Sequence, residues 1–175
     1  MILYESFNEI HSICREYEID DYTINSDGSI DVDGNVYLDH ESITKLPLNF
    51  NKVKGNFECN NNQLTSLEGC PKEVDGYFSC LSNKLTSLKG GPKSVGEYYD
   101  CNANRLTSLE FMADEIGESL FCAKNNLTTL KGCPENINGA FHTHYNQLKS
   151  LEYGPKLVEG VFVCSSNYLT TLKGC

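Results

Sequence analysis

The chain has 175 residues, of which 39% are hydrophobic and 22% charged, and 24 acidic against 14 basic side chains give a formal net charge of −10. This composition excludes a disordered chain, and no apolar run approaches the roughly 18 residues of a membrane span. The acidic balance excludes nucleic acid and anionic membranes as partners, because both are bound through clustered Lys and Arg. Residues 1–42 carry 11 acids and one base, and residues 43–175 carry 13 of each, so the charge belongs to the N-terminal end.

The cellular setting follows from the N-terminus and the cysteines. Residues 1–5 lack the basic head and long apolar run of a signal peptide. The cysteines number nine, an odd count that fits a disulfide framework poorly. Both observations favour a reducing, cytoplasmic location.

The first predicted element is an amphipathic helix over residues 2–19. Its apolar side chains recur at spacings of four and three, which places them on one face. They are Leu3, Phe7, Ile10, Cys14 and Tyr17, with Glu5, Glu9, Arg15 and Glu16 on the wet side. Because the first unit of a repeat array would otherwise expose its core, we expect this helix to be a cap.

A hairpin is predicted next. Residues 22–24 and 30–32 are rich in β-branched and aromatic side chains and flank the turn-forming residues 25–29. The predicted organisation is therefore a cap of helix and hairpin over residues 1–31, followed by a repeat array over residues 32–175.

The array has a period of 21 residues. The sequence Leu-Thr-Ser-Leu-Glu-Gly-Cys-Pro at 64–71 returns with few changes at 85–92 and 127–134, and again from residue 169. At this period the chain shows an apolar column, Val36, Phe57, Phe78, Tyr99, Leu120, Phe141 and Phe162. An asparagine column follows, Asn62, Asn83, Asn104, Asn125, Asn146 and Asn167. Each unit reads apolar-x-Cys-x-x-Asn-x-Leu-x-x-Leu, with Cys replaced in some units.

This pattern predicts a short strand whose apolar residue and Cys, two positions apart, enter the core together. Each asparagine lies where the chain leaves the strand. There its side-chain amide can form hydrogen bonds with backbone groups of the turn and of the next repeat. The outer segment of each unit, such as 68–73, holds Gly and Pro and is too short for a typical α-helix. We expect it to be extended or 3₁₀.

The repeat pattern is similar to that of leucine-rich repeats of the short bacterial type. Residues 22–34 and units such as 62–71 resemble small leucine-rich-repeat proteins of tailed phages and their bacterial hosts. The resemblance implies a leucine-rich-repeat solenoid with a curved parallel β-sheet of about seven strands on its concave face. It further implies a product that binds and inhibits or sequesters a host protein, for example a defence component, in the host cytoplasm.

The candidate binding surface is the concave face, formed by the residues that alternate with the buried apolar and Cys positions. Its first strands are polar or acidic, and its later strands gather aromatic and apolar side chains, which are typical protein-binding anchors. The predicted site consists of Tyr77, Leu81, Tyr98, Asp100, Phe121, His142, His144, Tyr145, Val161 and Val163.

No pattern in the sequence predicts catalysis, a metal or a cofactor. The cysteines lack C-x-x-C spacing and are interpreted as small core residues. His142 and His144 share one side of a strand, but the adjacent strands supply no third ligand. Residues 31–35 contain two Asp and a Gly, yet Ser29 and His40 fall where a calcium loop needs acidic ligands, which favours a turn.

The C-terminus ends in mid-repeat without a polar cap after Leu169 and Leu172. We expect this end to be covered by a second copy of the chain or by a partner, or the natural chain to be longer. The function favoured by the sequence is non-enzymatic binding of another protein. The alternatives are a nucleic-acid mimic that uses the acidic N-terminal region, and an assembly module that uses the C-terminal end.

Overall fold

The computed structural model describes the backbone of residues 2–174 and the side chains of residues 7–174. The side chains of Leu3 and Glu5 and the whole of Cys175 lie outside the described residues. One helix, α1 (Ile2–Glu16), precedes the strands. In chain order these are β1 (Tyr22–Ile24), β2 (Ile30–Val32), β3 (Val36–Tyr37), β4 (Phe50–Val53), β5 (Phe57–Glu58), β6 (Glu73–Val74), β7 (Phe78–Ser79), β8 (Ser94–Val95), β9 (Tyr99–Asp100), β10 (Glu115–Ile116), β11 (Leu120–Phe121), β12 (Asn136–Ile137), β13 (Phe141–His142), β14 (Leu157–Val158) and β15 (Phe162–Val163).

The N-terminal helix is present as predicted, but it ends at Glu16 instead of residue 19. Glu18 adopts a left-handed backbone conformation with φ of 52°, which stops the helix. The amide of Ile19 then donates to the carbonyl of Cys14 at 2.8 Å, and both side chains are buried. The amide of Glu18 donates to the carbonyl of Arg15 at 3.4 Å, and these two backbone bonds form a Schellman cap.

The predicted hairpin is confirmed, since β1 and β2 pair antiparallel with Tyr22 opposite Val32. Strand β2 also pairs with β4 in parallel, so the hairpin joins the N-terminal region to the repeats. Ile30 and Val32 are buried, whereas Thr23 on the outer strand is exposed. Strand β1 thus covers one edge of the sheet that the repeats continue.

Successive repeats stack as a β-solenoid with two strands in each full turn. One sheet has the order β15-β13-β11-β9-β7-β5-β3, and all its neighbours are parallel. The second side holds a sheet of order β1-β2-β4-β6-β8-β10 and a separate pair, β12-β14. The prediction of stacked parallel strands behind one N-terminal helix is confirmed. The outer segments are extended, which is one of the two conformations expected for them. They also pair with one another in parallel, which the sequence did not predict.

The core lies between the two sheets and consists of the predicted columns. Phe57, Phe78, Tyr99 and Phe141 have no exposed surface, and the Leu-x-x-Leu positions from Leu64 to Leu151 are at most 1% exposed. Six of the eight described cysteines are buried, and all eight are free thiols. The interpretation of cysteine as a core residue is therefore confirmed for these six.

An asparagine ladder runs along one edge of the core and links each repeat to the one before it. The Nδ2 atom of Asn83 donates to the carbonyls of Cys59 and Cys80 at 2.9 and 3.1 Å. Its Oδ1 atom accepts the amide of Leu64 at 3.0 Å. Asn62, Asn104, Asn125, Asn146 and Asn167 make corresponding bonds. The prediction that each asparagine bonds the next repeat was wrong. The bonded neighbour is the preceding repeat, because the side-chain amide points back towards the earlier strand.

Candidate functional site

The predicted binding surface is the solvent side of the sheet that contains β3 and β15, and we call it the open face. It comprises positions 35, 37 and 39 and their equivalents at intervals of 21 through 161, 163 and 165. Strand alternation positions these side chains: Phe57 and Cys59 point into the core, so Glu58 between them points out.

Because the strands are parallel and in register, side chains of the open face form rows across the repeats. The Cα register of the middle row runs Tyr37, Glu58, Ser79, Asp100, Phe121, His142 and Val163. A second row lies two residues earlier in each strand and includes Tyr77, Tyr98 and Val161. The third lies two residues later and includes Leu81 and His144. Nine of the ten predicted site residues belong to these rows.

Tyr145 is the exception among the predicted residues. Its φ is 56°, and it occupies the turn position that Asn61, Ser82 and Lys124 hold in other repeats. The ring nevertheless contacts His144, with centroids 5.4 Å apart, and the side chain is 59% exposed. Tyr145 therefore extends the open face beyond the strand end.

Six rings on the open face form a continuous chain of contacts across four neighbouring repeats, which we call the aromatic ladder. Tyr77 and Tyr98 stack with centroids 4.5 Å apart and an interplanar angle of 9°. Phe121 continues the ladder at 5.8 Å from Tyr98, and His142 follows at 5.1 Å. His144 and Tyr145 complete it. All six rings remain at least partly accessible, so the ladder presents a contiguous aromatic surface to solvent.

Leu81, Val161 and Val163 lie on the same face as the aromatic ladder. Leu81 and Val163 are half-buried, whereas Val161 is 65% exposed. Val163 stands next to His142 in register and extends the apolar surface towards the last described repeat.

Carboxylates lie on the open face from its N-terminal end to its centre. Burial raises the pKa of Asp100 to about 6, against an ordinary value of 3.8, although the amide of Asn102 donates to its Oδ1 at 2.8 Å. Burial and the neighbouring Asp39 carboxyl also raise the pKa of Glu58. The hydroxyl of Tyr77 donates to Glu58, which joins the carboxylates to the aromatic ladder.

Glu58 and Asp39 were not among the predicted site residues. The signal that could have found them was already in the sequence, because both stand at open-face positions in the 21-residue period. What the sequence could not supply was the hydrogen bond that the Tyr77 hydroxyl donates to Glu58.

The two histidines are neighbours, with ring centroids 5.7 Å apart. Burial lowers the pKa of His144, and the nearby His142 adds to the effect. The Nδ1 atom of His144 is buried and has no hydrogen-bond partner among the described residues. Within residues 7–174, no three His, Cys, Asp or Glu side chains are grouped as a metal site requires.

The acidic N-terminal region, the alternative binding surface, is partly neutralised by later repeats. Lys54 pairs with Asp33 at 2.8 Å. Asp31 accepts hydrogen bonds from the amides of Asn51 at 2.8 Å and Asn25 at 3.2 Å, and these bonds lower its pKa. Residues 31–35 therefore form a strand and turn with internal partners.

Exposed apolar side chains are concentrated in the last described repeats. Val161, Tyr168 and Leu172 are each 65–67% exposed, whereas the equivalent core leucine Leu151 is 1% exposed. Phe162 and Leu169 are only partly buried. Of these residues, Val161 belongs to the open face.

Comparison of the chain with protein-family profiles, curated protein sequences and solved structures gave no match. Within the described part of the chain, no helix combines the length and apolar character needed to cross a membrane.

Proposed function

We propose that this chain is a leucine-rich-repeat protein that binds another protein through the open face and is not an enzyme. The observation that carries the proposal is the aromatic ladder, in which six accessible rings follow one another from Tyr77 to Tyr145. Accessible aromatic side chains grouped on one surface are characteristic of the anchors that dominate protein interfaces.

The supporting scaffold favours binding without much loss of conformational entropy. Core side chains directly behind the ladder are fully buried, and the asparagine ladder ties each repeat to its neighbour. Rings held on such a frame lose little freedom when a partner covers them, which increases affinity. Tyr77 and Tyr98 already stack on each other without a partner.

The resemblance of units such as 62–71 to small repeat proteins of tailed phages supports a more specific proposal. We infer that the chain is a phage or bacterial product that inhibits or sequesters a protein of the bacterial host, for example a defence component, in the host cytoplasm.

Affinity capture from bacterial lysate with matched variants tests the proposal. The open-face variant carries Tyr98→Ala, Phe121→Ala and His142→Ala. The control carries Phe111→Ala and Tyr153→Ala, two aromatic side chains that are 57% and 68% exposed and lie off the open face. Circular dichroism first establishes that both variants keep the fold of the wild type.

The expected result is a protein retained by the wild type and by the control but lost from the open-face variant. The retained protein is then purified, and its dissociation constant for each variant is measured by calorimetry. Equal affinity for the open-face variant would exclude this surface as the site. Loss caused instead by Asp20→Asn, Asp21→Asn and Asp27→Asn, with steep weakening by salt, would favour the nucleic-acid mimic.

Self-association through the last repeats is a second candidate, favoured by the exposure of Val161 and Tyr168. Strand β15 pairs with β13, and within the described residues its other edge has no partner strand. Light scattering after gel filtration should then give a dimer mass that falls to the monomer mass in Val161→Lys. A monomeric wild type at high protein concentration would exclude this candidate.

A further inference from the structure

The open face has an unbalanced charge. Its 21 positions include three carboxylates, Asp39, Glu58 and Asp100, but no Lys or Arg. Among the described residues, every salt bridge lies elsewhere, for example Lys52 with Glu73 and Lys131 with Glu110. The acids of the open face therefore lack the lysine partners that several other acids of the chain have.

Asp100 is the most unusual of the three. It lies in the centre of the face, between Ser79 and Phe121 in register, and two residues after Tyr98 on the same face. Its carboxylate is partly buried and accepts the amide of Asn102, but no cation lies within salt-bridge distance in the described structure. A desolvated carboxylate without a cation is unfavourable in the free protein, whereas a cation brought by a partner would be attracted to it strongly.

The rings beside Asp100 suit a planar cation. Tyr98 and Phe121 are tilted at 59° with centroids 5.8 Å apart, so they are not stacked face to face. Both side chains stay partly exposed, although Tyr77 stacks on one face of Tyr98. A guanidinium group stacks on aromatic faces and also pairs with a carboxylate through two parallel N–H donors. Glu58 lies two strands from Asp100, and the usual strand spacing places the two residues about 10 Å apart. Glu58 can therefore attract a second cation of the same partner.

We propose that the open face recognises a basic segment of a partner protein, with an arginine side chain of that segment seated on Tyr98 and Phe121 and paired with Asp100. This inference rests on the proposed function, because it names the chemistry of the partner that the aromatic ladder would bind. The complementarity of charge is what selects a basic partner over an apolar one.

The test uses a blocked tetra-arginine peptide as the probe, titrated into ¹⁵N-labelled protein and followed by amide chemical shifts. Shifts are expected in β9 and β11, around Asp100 and Phe121, and Asp100→Asn should weaken binding about tenfold or more. The control variant Asp20→Asn with Asp21→Asn removes two exposed charges and should change affinity less than twofold. A tetra-glutamate peptide should cause no shifts on this face.

Several outcomes would overturn the proposal: shifts confined to residues 20–33, equal affinity for Asp100→Asn, or greater weakening by the Asp20 and Asp21 control. Tetra-lysine binding as tightly as tetra-arginine would remove the assignment of arginine. If the open-face variant loses its captured protein while Asp100→Asn retains it, the binding function stands and the cation site fails. If neither variant loses it, both proposals fail.

Discussion

Asp100→Asn should stabilise the isolated protein at neutral pH. The substitution removes the charge of a partly buried carboxylate, while the amide oxygen of asparagine can still accept the amide of Asn102. Burial raises the pKa of Asp100 from 3.8 to about 6, so ionisation of this group in the folded protein is unfavourable. At about 1.36 kcal/mol for each pKa unit, the cost at neutral pH is up to about 3 kcal/mol. We expect a gain of about 1–3 kcal/mol in the free energy of unfolding.

The pH dependence gives the prediction its sign. Because the pKa of Asp100 is higher in the folded than in the unfolded chain, the folded chain holds more protons between about pH 4 and pH 6. This contribution to wild-type stability is fully present below about pH 4 and is lost as the pH rises through 6. The gain from Asp100→Asn should therefore be close to zero at the acidic end and greatest above about pH 7.

Urea denaturation at a series of pH values, followed by circular dichroism, measures this difference. Asp114→Asn is the matched control, since its side chain is exposed, and it should change stability by less than about 0.5 kcal/mol at every pH. Asp100→Asn with lower stability than the wild type at neutral pH would refute the reasoning. A gain that does not shrink on acidification would refute it equally.

Five further substitutions test the packing by thermal unfolding. Tyr99→Phe should stabilise by about 1 kcal/mol, because the buried Tyr99 hydroxyl has no partner among the described residues, whereas Gly91→Ala should destabilise by placing Cβ 3.0 Å from that hydroxyl. Asn104→Ala should cost about 3 kcal/mol, since four backbone groups lose their bonds to its amide. Tyr153→Gly should gain about 1 kcal/mol because φ at Tyr153 is 65°, and Gly132→Ala at the equivalent position should destabilise. For each substitution, a melting temperature equal to that of the wild type, or shifted in the opposite direction, would contradict the expectation.

The core could be predicted from the sequence because burial in a solenoid repeats with the chain. Each turn places Phe57, Phe78 and Phe141 against equivalent neighbours, so a 21-residue period alone assigns them to the core. The same period placed Tyr77, Tyr98 and Phe121 on one face. Which rings contact one another is an outcome of side-chain packing, and periodicity carries no information about it.

Departures from the period were harder to predict. The helix ends at Glu16 because Glu18 takes a left-handed conformation, for which glutamate gives no signal. Phe111 and Tyr153 adopt positive φ where Gly69 and Gly132 stand in other repeats, and only the backbone shows this. The pairing of the outer segments was not predicted because these segments hold residues such as Gly69 and Pro71, which are depleted in strands.

Stability and binding should move in opposite directions at Asp100, and this distinguishes a binding role from a structural one. Replacing a residue that serves the fold lowers the stability of the protein, and any loss of affinity then follows from unfolding. Asp100 without a cation destabilises the free chain, and a partner's arginine would remove that penalty on binding. A variant that is more stable yet binds a basic peptide more weakly therefore indicates that the carboxylate serves recognition. Reduced stability together with reduced affinity would indicate that it serves the fold.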